Sequence, residues 1–326
     1  MNKPVEFSLD DLRGAPDLEA LKARVESKNL TPGWIPRKEP PLWHEPKSEY
    51  STMHWKWSDA KAGMDGAARS IGTDLAERRN LIMSNPTGDN EISSTRTLIS
   101  AYQTILPGEI ARTHRHAPHA FRVILDSKGA WSCVNGDKHP METGDIVLTP
   151  GGSWHGHGHD GKDQSYWFDG LDVPLVHLLE PMTAEDHPQV YEPIKRVTPD
   201  SPYRFTWEWQ QRELDAAKDD PEGFFGRRIA IDTSTMPTIG INVHRWKAGF
   251  QSRPQRSTAH QIFLVMQGSG TTLVDGEPIE WSFGDTFAIP TWKRIEHRAK
   301  DDAVVMGMTD EPLMRFCKYW KFEALN

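Results

Sequence analysis

Cysteine is almost missing: Cys133 and Cys317 are the only two in 326 residues. That excludes a disulfide framework and leaves a cysteine metal site short of ligands, so any metal must be held by His, Asp or Glu. Long apolar runs are missing too. No segment approaches the roughly 18 consecutive apolar residues of a membrane span, and the opening MNKPVEFSLDDLRG lacks the apolar core of a signal peptide. The expectation is a cytoplasmic protein with no membrane partner. Positive charge is in deficit, at a net of −8, and that summed field does not attract phosphate backbones. No nucleic-acid partner is expected, and a soluble metabolic protein fits.

Tryptophan and proline are plentiful, with 13 and 24 copies, which suits a loop-rich β architecture packed with aromatics better than a helical bundle. The length allows two core-forming domains. Over residues 8–30, Ser8 and Asp10 as caps and Leu18, Leu21 and Val25 at helical spacing predict one short amphipathic helix. TPGWIPRKEPPLWHEP, from Thr31 to Pro46, has too many prolines for regular structure and reads as a strap anchored by Trp34 and Trp43. A second helix is expected from an N-cap at Ser58 to about Arg79. From Thr95 short β-rich runs with turn signals predict a barrel or sandwich. Residues 180–225 read as a charged connector with one helix near Trp207 to Lys218, and β texture returns from Arg228 to Phe322.

Seven of the fourteen histidines fall between Gly108 and His159. They frame two motifs, Gly108-x5-His114-x-His116 and Gly144-x5-Pro150-x-Gly152-x2-His155. In a strand, alternate side chains share a face, so His114 and His116 look the same way while Arg115 looks out. His155 on a neighbouring strand would complete a site of three nitrogens. This pair of motifs resembles that of the cupins. Arg122 lies in the same inward phase and could bind a substrate carboxylate bidentately or serve as a rim ion pair. His157 reads as a hydrogen bonder or proton relay, or as structural, because His297 matches it downstream. His119 and His159 read as mouth or surface residues, His139 as part of a turn, His187 as solvent-exposed, and His260 has no telling spacing.

The pattern recurs. Gly249-x5-Gln255-x-Ser257 and Gly284-x5-Pro290-x-Trp292-x2-Ile295 repeat it 140 to 141 residues on, which implies two copies of one β-barrel unit. The second copy keeps the glycines and the proline but puts Gln255, Ser257 and Ile295 where the first has its histidines. The fold therefore does not need them, and the three serve a metal. Imidazole suits iron, copper, nickel and zinc. A neutral three-His face leaves about three open positions on an octahedral ion, whereas zinc with one water is the competing assignment.

TLISAYQTILPGEIARTHRHAPHAFRVIL, GDIVLTPGGSWHGHGH and YWFDGLDVPLV, with ERRNLIMSNP upstream and RPQRSTAH, QGSGTTLVDG and FAIPTWKRIEH downstream, resemble the gentisate 1,2-dioxygenase group of bicupin ring-cleaving dioxygenases, which includes salicylate and 1-hydroxy-2-naphthoate dioxygenases. The resemblance implies an all-β fold with a helical N-terminal arm: a bicupin of two double-stranded β-helix (jelly-roll) barrels. The expected division is an arm over 1–94, a metal-binding barrel over 95–180, a connector over 181–227 and a metal-free barrel over 228–326. It implies Fe(II) on His114, His116 and His155, a small aromatic acid and O2 as partners, and a homo-oligomer, by resemblance a tetramer. It implies that Arg122 and one of Arg78 and Arg79, Arg78 before Arg79, hold the carboxylate, that His157 assists at a ring hydroxyl, and that Asp169 supports the site. The expected reaction is opening of a hydroxybenzoate, gentisate first, to maleylpyruvate. Salicylate, chloro- or nitrosalicylates and 1-hydroxy-2-naphthoate are alternatives; outside the class, the rivals are a non-enzymatic binding bicupin and a zinc or manganese isomerase or decarboxylase. Ile99, Arg112 and His159 depart from the family pattern and bear on ring substituents rather than on the metal.

Overall fold

The structure, a computed structural model, describes residues 7–72 and 78–326. The chain divides into two compact units, residues 1–46 and 47–326. In the first, the expected single helix is two, Leu9–Arg13 and Leu18–Glu26. Gly14 ends one, Pro16 forbids its continuation, and Asp17 caps the next by accepting from the Ala20 amide at 2.7 Å. Trp34 and Trp43, expected to anchor the proline-rich strap by burial, are 60% and 54% exposed.

The second unit holds two β-barrels. In the first, a six-stranded sheet runs in the order Arg204–Phe205, Ile146–Thr149, Ala120–Asp126, Ser165–Leu171, Ile99–Ile105, Arg79–Ile82. It faces a second sheet ordered Ala184–Asp186, His114–His116, His155–His159, Ala130–Val134, Asp137–Met141, Arg196–Val197. The second barrel repeats this, with Met53–Trp55, Thr286–Ile289, Gln261–Gln267, Ala303–Thr309, Gly240–Trp246 and Arg227–Ala230 in one sheet. Its other sheet has Glu277–Ser282, Ser269–Val274, Ile295–Ala299, Gln255–Ser257 and Phe322–Ala324. The bicupin fold is therefore present. Residues 180–225, expected as a connector with one helix, also supply three short strands to the first barrel.

Each barrel is closed at one edge by a strand that precedes the other. Met53–Trp55 pairs with Thr286–Ile289, and Arg204–Phe205 pairs with Ile146–Thr149. A helix follows each: Trp57–Ser70 after the first and Trp207–Ala216 after the second. The helix expected from Ser58 to Arg79 thus starts and ends earlier; Arg79 is in a strand, and 73–77 lie outside the described residues. Ser58 is not its cap. The Asp285 carboxylate accepts from the Trp57 amide at 2.9 Å instead, as Asp145 accepts from Trp207 at 3.1 Å. The glycine before each aspartate has a left-handed φ, +89° at Gly144 and +82° at Gly284. A Cβ there would lie 2.8 Å and 2.3 Å from the rings of Trp207 and Trp57, so glycine serves both the turn and the close approach.

One buried cluster joins the barrels, with Met64, Tyr102, Phe121 and Phe168 packed with Ile262, Leu264, Met306 and Met308. Each barrel also has its own core, around Trp167 in the first and Phe287 in the second. Fully buried side chains of this size are worth ~1.5–3 kcal/mol each. Among the described residues no helix is long and apolar enough to cross a membrane.

Candidate metal centre

His114–His116 runs antiparallel to His155–His159 with His114 directly opposite His155. Directly paired residues share a face, and so do residues two apart on one strand. Strand pairing alone therefore brings three imidazoles to one wall. Their ring centroids are 4.6 Å (His114–His155), 4.8 Å (His116–His155) and 5.4 Å (His114–His116) apart. One nitrogen from each lies within 4.8 Å of the others.

Backbone carbonyls preset two of the rings. His116 donates from Nδ1 to Pro118 O at 2.8 Å, and His155 from Nδ1 to Ser153 O at 3.0 Å. Each must carry its proton on Nδ1, which leaves the Nε2 lone pair for a metal. The Nε2 atoms of His114 and His155 are 3.1 Å apart, close to the ~3 Å that two metal–nitrogen bonds of about 2.1 Å at a right angle require. Burial, then the guanidinium of Arg78, then His116 and Arg122 push His114 down to about 3. Burial likewise lowers His116 and His155, so all three are neutral, as ligation requires. The donor set fits a borderline metal.

His114 also accepts at Nδ1 from Arg78 Nη1 at 3.0 Å. In this arrangement its proton sits on Nε2 and points to His155. Ligation through Nε2 requires that proton on Nδ1, where it would oppose a guanidinium; metal binding and the Arg78 contact therefore exclude each other.

Arg122 stands opposite Asp169 across the sheet. Its Nε is 3.1 Å from Asp169 Oδ1, its Nη1 donates to Thr149 Oγ1 at 2.7 Å, and both charged residues are buried. Trp167 Nε1 donates to Asp169 Oδ2 at 3.1 Å. Burial lowers Arg122 to about 10, against the attraction of Asp169, and raises Asp169 to about 6, against that of Arg122. Both leave the pair charged near neutral pH.

His157 is buried on the strand of His155, and neither of its ring nitrogens has a hydrogen-bond partner among the described residues. Its counterpart His297 differs, with Nδ1 2.8 Å from Thr272 Oγ1. The structure gives His139 a place the sequence did not suggest. It is not in a turn but buried in Asp137–Met141, in register with Ser132, which is in register with His157. His139 Nδ1, His139 Nε2 and Ser132 Oγ are unpartnered as well. A strand written Asp-Lys-His-Pro-Met hides its alternation behind proline; the only available signal was its pairing with Ala130–Val134.

His159 is buried rather than at the surface: its Nδ1 accepts from the Gly161 amide at 2.9 Å and Nε2 lies 2.5 Å from Asp163 O. His119 accepts from the Gly151 amide at 2.9 Å, as His260 does from Thr291 at 3.2 Å, and Asp172 and Asp310 accept from the two histidines' own amides at 2.8 Å. Both copies thus use this histidine to pin a turn. His187 is half-buried, its ring 4.8 Å from that of Trp154. Arg79 does not join the site: its guanidinium grips Glu109 through two bonds of 2.6 and 2.5 Å.

A cupin domain family matches residues 101–173. Over 92% of this chain and 94% of its own length, gentisate 1,2-dioxygenase 1 of Aquipseudomonas alcaligenes is 31% identical. The chain belongs to the gentisate 1,2-dioxygenase family. Within that family, a 5-aminosalicylate 1,2-dioxygenase of a Comamonas species is 30% identical over 99% of this chain and 93% of its own. The structure of a salicylate 1,2-dioxygenase from Pseudaminobacter salicylatoxidans superposes with a TM-score of 0.85 at 25% identity, covering 95% of this chain and 97% of that one. The chain is accordingly an aromatic ring-cleaving dioxygenase of the cupin class, with the three-His group as its candidate metal centre.

Proposed function

We propose that this dioxygenase uses Fe(II), held by His114, His116 and His155, to open the ring of a hydroxybenzoate, gentisate first, to maleylpyruvate. The observation that carries it is the convergence of three neutral imidazoles beside the buried Arg122–Asp169 pair, at a place where the sister barrel has Gln255, Ser257 and Ile295. When bound, ferrous iron supplies the one-electron chemistry that lets dioxygen react with an aromatic ring, with both oxygen atoms entering the product. The protein's part is placement and charge.

Arg122, locked by Thr149 and Asp169, offers a guanidinium of fixed orientation to the substrate carboxylate. Arg78 turns from His114 to the same carboxylate as His114 takes up its ligating tautomer. Asp169 acts through Arg122 and does not touch the substrate. His157, with both nitrogens unengaged, takes a hydrogen bond from a ring hydroxyl or carries its proton. Arg79, bound to Glu109, has a structural role.

The test is oxygen uptake by iron-loaded enzyme on gentisate, salicylate, their amino, chloro and nitro derivatives, and 1-hydroxy-2-naphthoate. One O2 per gentisate consumed, with no turnover under argon, is expected. No uptake on any of the panel, or anaerobic turnover, would overturn the reading. A salicylate preference is the second reading, favoured by the 5-aminosalicylate relative and the salicylate dioxygenase structure. The family resemblance also carries a tetramer, which light scattering of the purified enzyme tests.

A further inference from the structure

The second barrel has lost the histidines and kept the hole. A cavity of about 540 Å³ opens on Gln255 and Ser257, the positions of His114 and His116, and on His297, the position of His157. That volume is within the ~300–1,000 Å³ of small-molecule sites. Its inner wall is polar without being charged. Gln255, Ser257, His244 and His297 are all less than a tenth exposed, and burial pushes His244 and His297 down to about 4 and 3. The ion pair of the first barrel is replaced. Phe263 stands in register with Gly307 where Arg122 faces Asp169, and a Cβ on Gly307 would come within 3.1 Å of the Phe263 ring.

This wall selects against anions. A carboxylate entering it would shed its water with no buried cation to receive it, a cost of several kcal/mol. The cations of the lining, Lys218, Arg228 and Arg315, are more exposed than Gln255, Ser257, His244 and His297; Arg315 Nε is 2.6 Å from Glu311, and burial lowers Arg228 against the attraction of Glu311 and Asp220. The wall asks instead for a hydrogen-bond donor. Gln255 Oε1 is buried with no partner among the described residues. His244 donates from Nδ1 to Phe225 O at 3.2 Å, so its Nε2 is an acceptor as well. The rest of the lining includes the rings of Phe225, Trp320 and Phe322, with Trp320 and Phe322 stacked at 6.0 Å. Aromatic surface beside buried acceptors that lack a partner or keep a free lone pair fits a flat molecule that carries hydroxyl groups and no charge.

We propose that the second barrel binds an uncharged hydroxylated aromatic, of the phenol, catechol or naphthol class, in this cavity. The site is separate from the metal centre and does not depend on its assignment.

Phenol, catechol and 1-naphthol are titrated by calorimetry into the full-length enzyme and into His116→Ala, with benzoate as the charged competitor. Binding is expected in both proteins, unaffected by benzoate. Gln255→Met keeps the volume and removes the acceptor, so it should weaken binding about three- to tenfold, the usual worth of one hydrogen bond. Ser257→Phe fills the cavity and should abolish binding. If Ser257→Phe does not fold, Gln255→Met decides. The proposal falls if no probe binds His116→Ala, if benzoate displaces phenol as well as phenol displaces itself, or if Gln255→Met binds like the parent.

Discussion

At the scale of single residues, the two barrels act as each other's control. Ser257 shows that the fold accepts a small side chain at the position of His116, so His116→Ala is expected to lose bound metal and oxygen uptake while its melting temperature stays within a few degrees of the metal-free parent. Metal analysis and calorimetry read the two effects separately, and full turnover in the variant would refute the ligand set. His157 leads to a different expectation. Its buried nitrogens have no partner among the described residues, and such groups cost about 1–3 kcal/mol. Replacement by Leu should leave the melting temperature no lower than the parent's and cut kcat/KM by ~10²–10⁴; unchanged kcat/KM would mean that His157 only fills space. The ligands were legible because strand periodicity and the second copy both singled them out. His139 and Ser132 were not, because their neighbourhood arises from strand order, which sequence spacing does not encode. Nor could it show that Arg79 would be taken by Glu109 and leave Arg78 beside His114.

At the scale of elements, Asp285 carries more than its place in a turn suggests. It accepts from the Trp57 and Ser282 amides at 2.9 and 3.1 Å and from Lys56 Nζ at 3.0 Å, with His54 Nε2 3.5 Å away. Burial alone would raise its pKa; the His54 ring, the Trp57 amide and Lys56 outweigh that and hold it down at about 2. A carboxyl with a depressed folded-state pKa stabilises above its unfolded value, and that contribution is lost as pH falls through the folded one. The parent should lose roughly 2 kcal/mol of stability from this group between about pH 4 and pH 2. Asp285→Asn should be less stable than the parent at pH 7, with the gap closing by pH 2. A gap that does not change with pH, measured by urea unfolding, would show that charge is not what holds the helix start. Here the sequence was partly legible: Gly284-Asp285 announced a turn, but the helix it caps lies 228 residues upstream, and local reading assigned that role to Ser58.

At the scale of the molecule, the repeat proved longer than its histidine motifs and is exchanged between the barrels. Trp57 and Trp207, each the first residue of a helix, cover Gly284 and Gly144 of the opposite barrel. Tyr102 of the first barrel donates to Gly284 O of the second at 2.6 Å, and Gln210, from the helix that precedes the second, donates to Gly144 O of the first at 2.9 Å. Two barrels were foreseeable from the recurring glycines and prolines; the exchange was not, because 53–55 and 204–205 are too short to show a period. Residues 228–326 alone would lack Met53–Trp55, leaving Thr286–Ile289 as a bare apolar edge prone to association. That segment is expected to be insoluble or unfolded, whereas the whole chain melts in one transition. Trp57→Ala, which uncovers the second barrel from a helix that leads into the first, should cost about 3 kcal/mol and speed amide exchange in both barrels together. Faster exchange confined to Thr286–Ile289 would show that the barrels are merely adjacent; faster exchange in Ala120–Asp126 as well would show that one cooperative unit supports both the metal centre and the cavity.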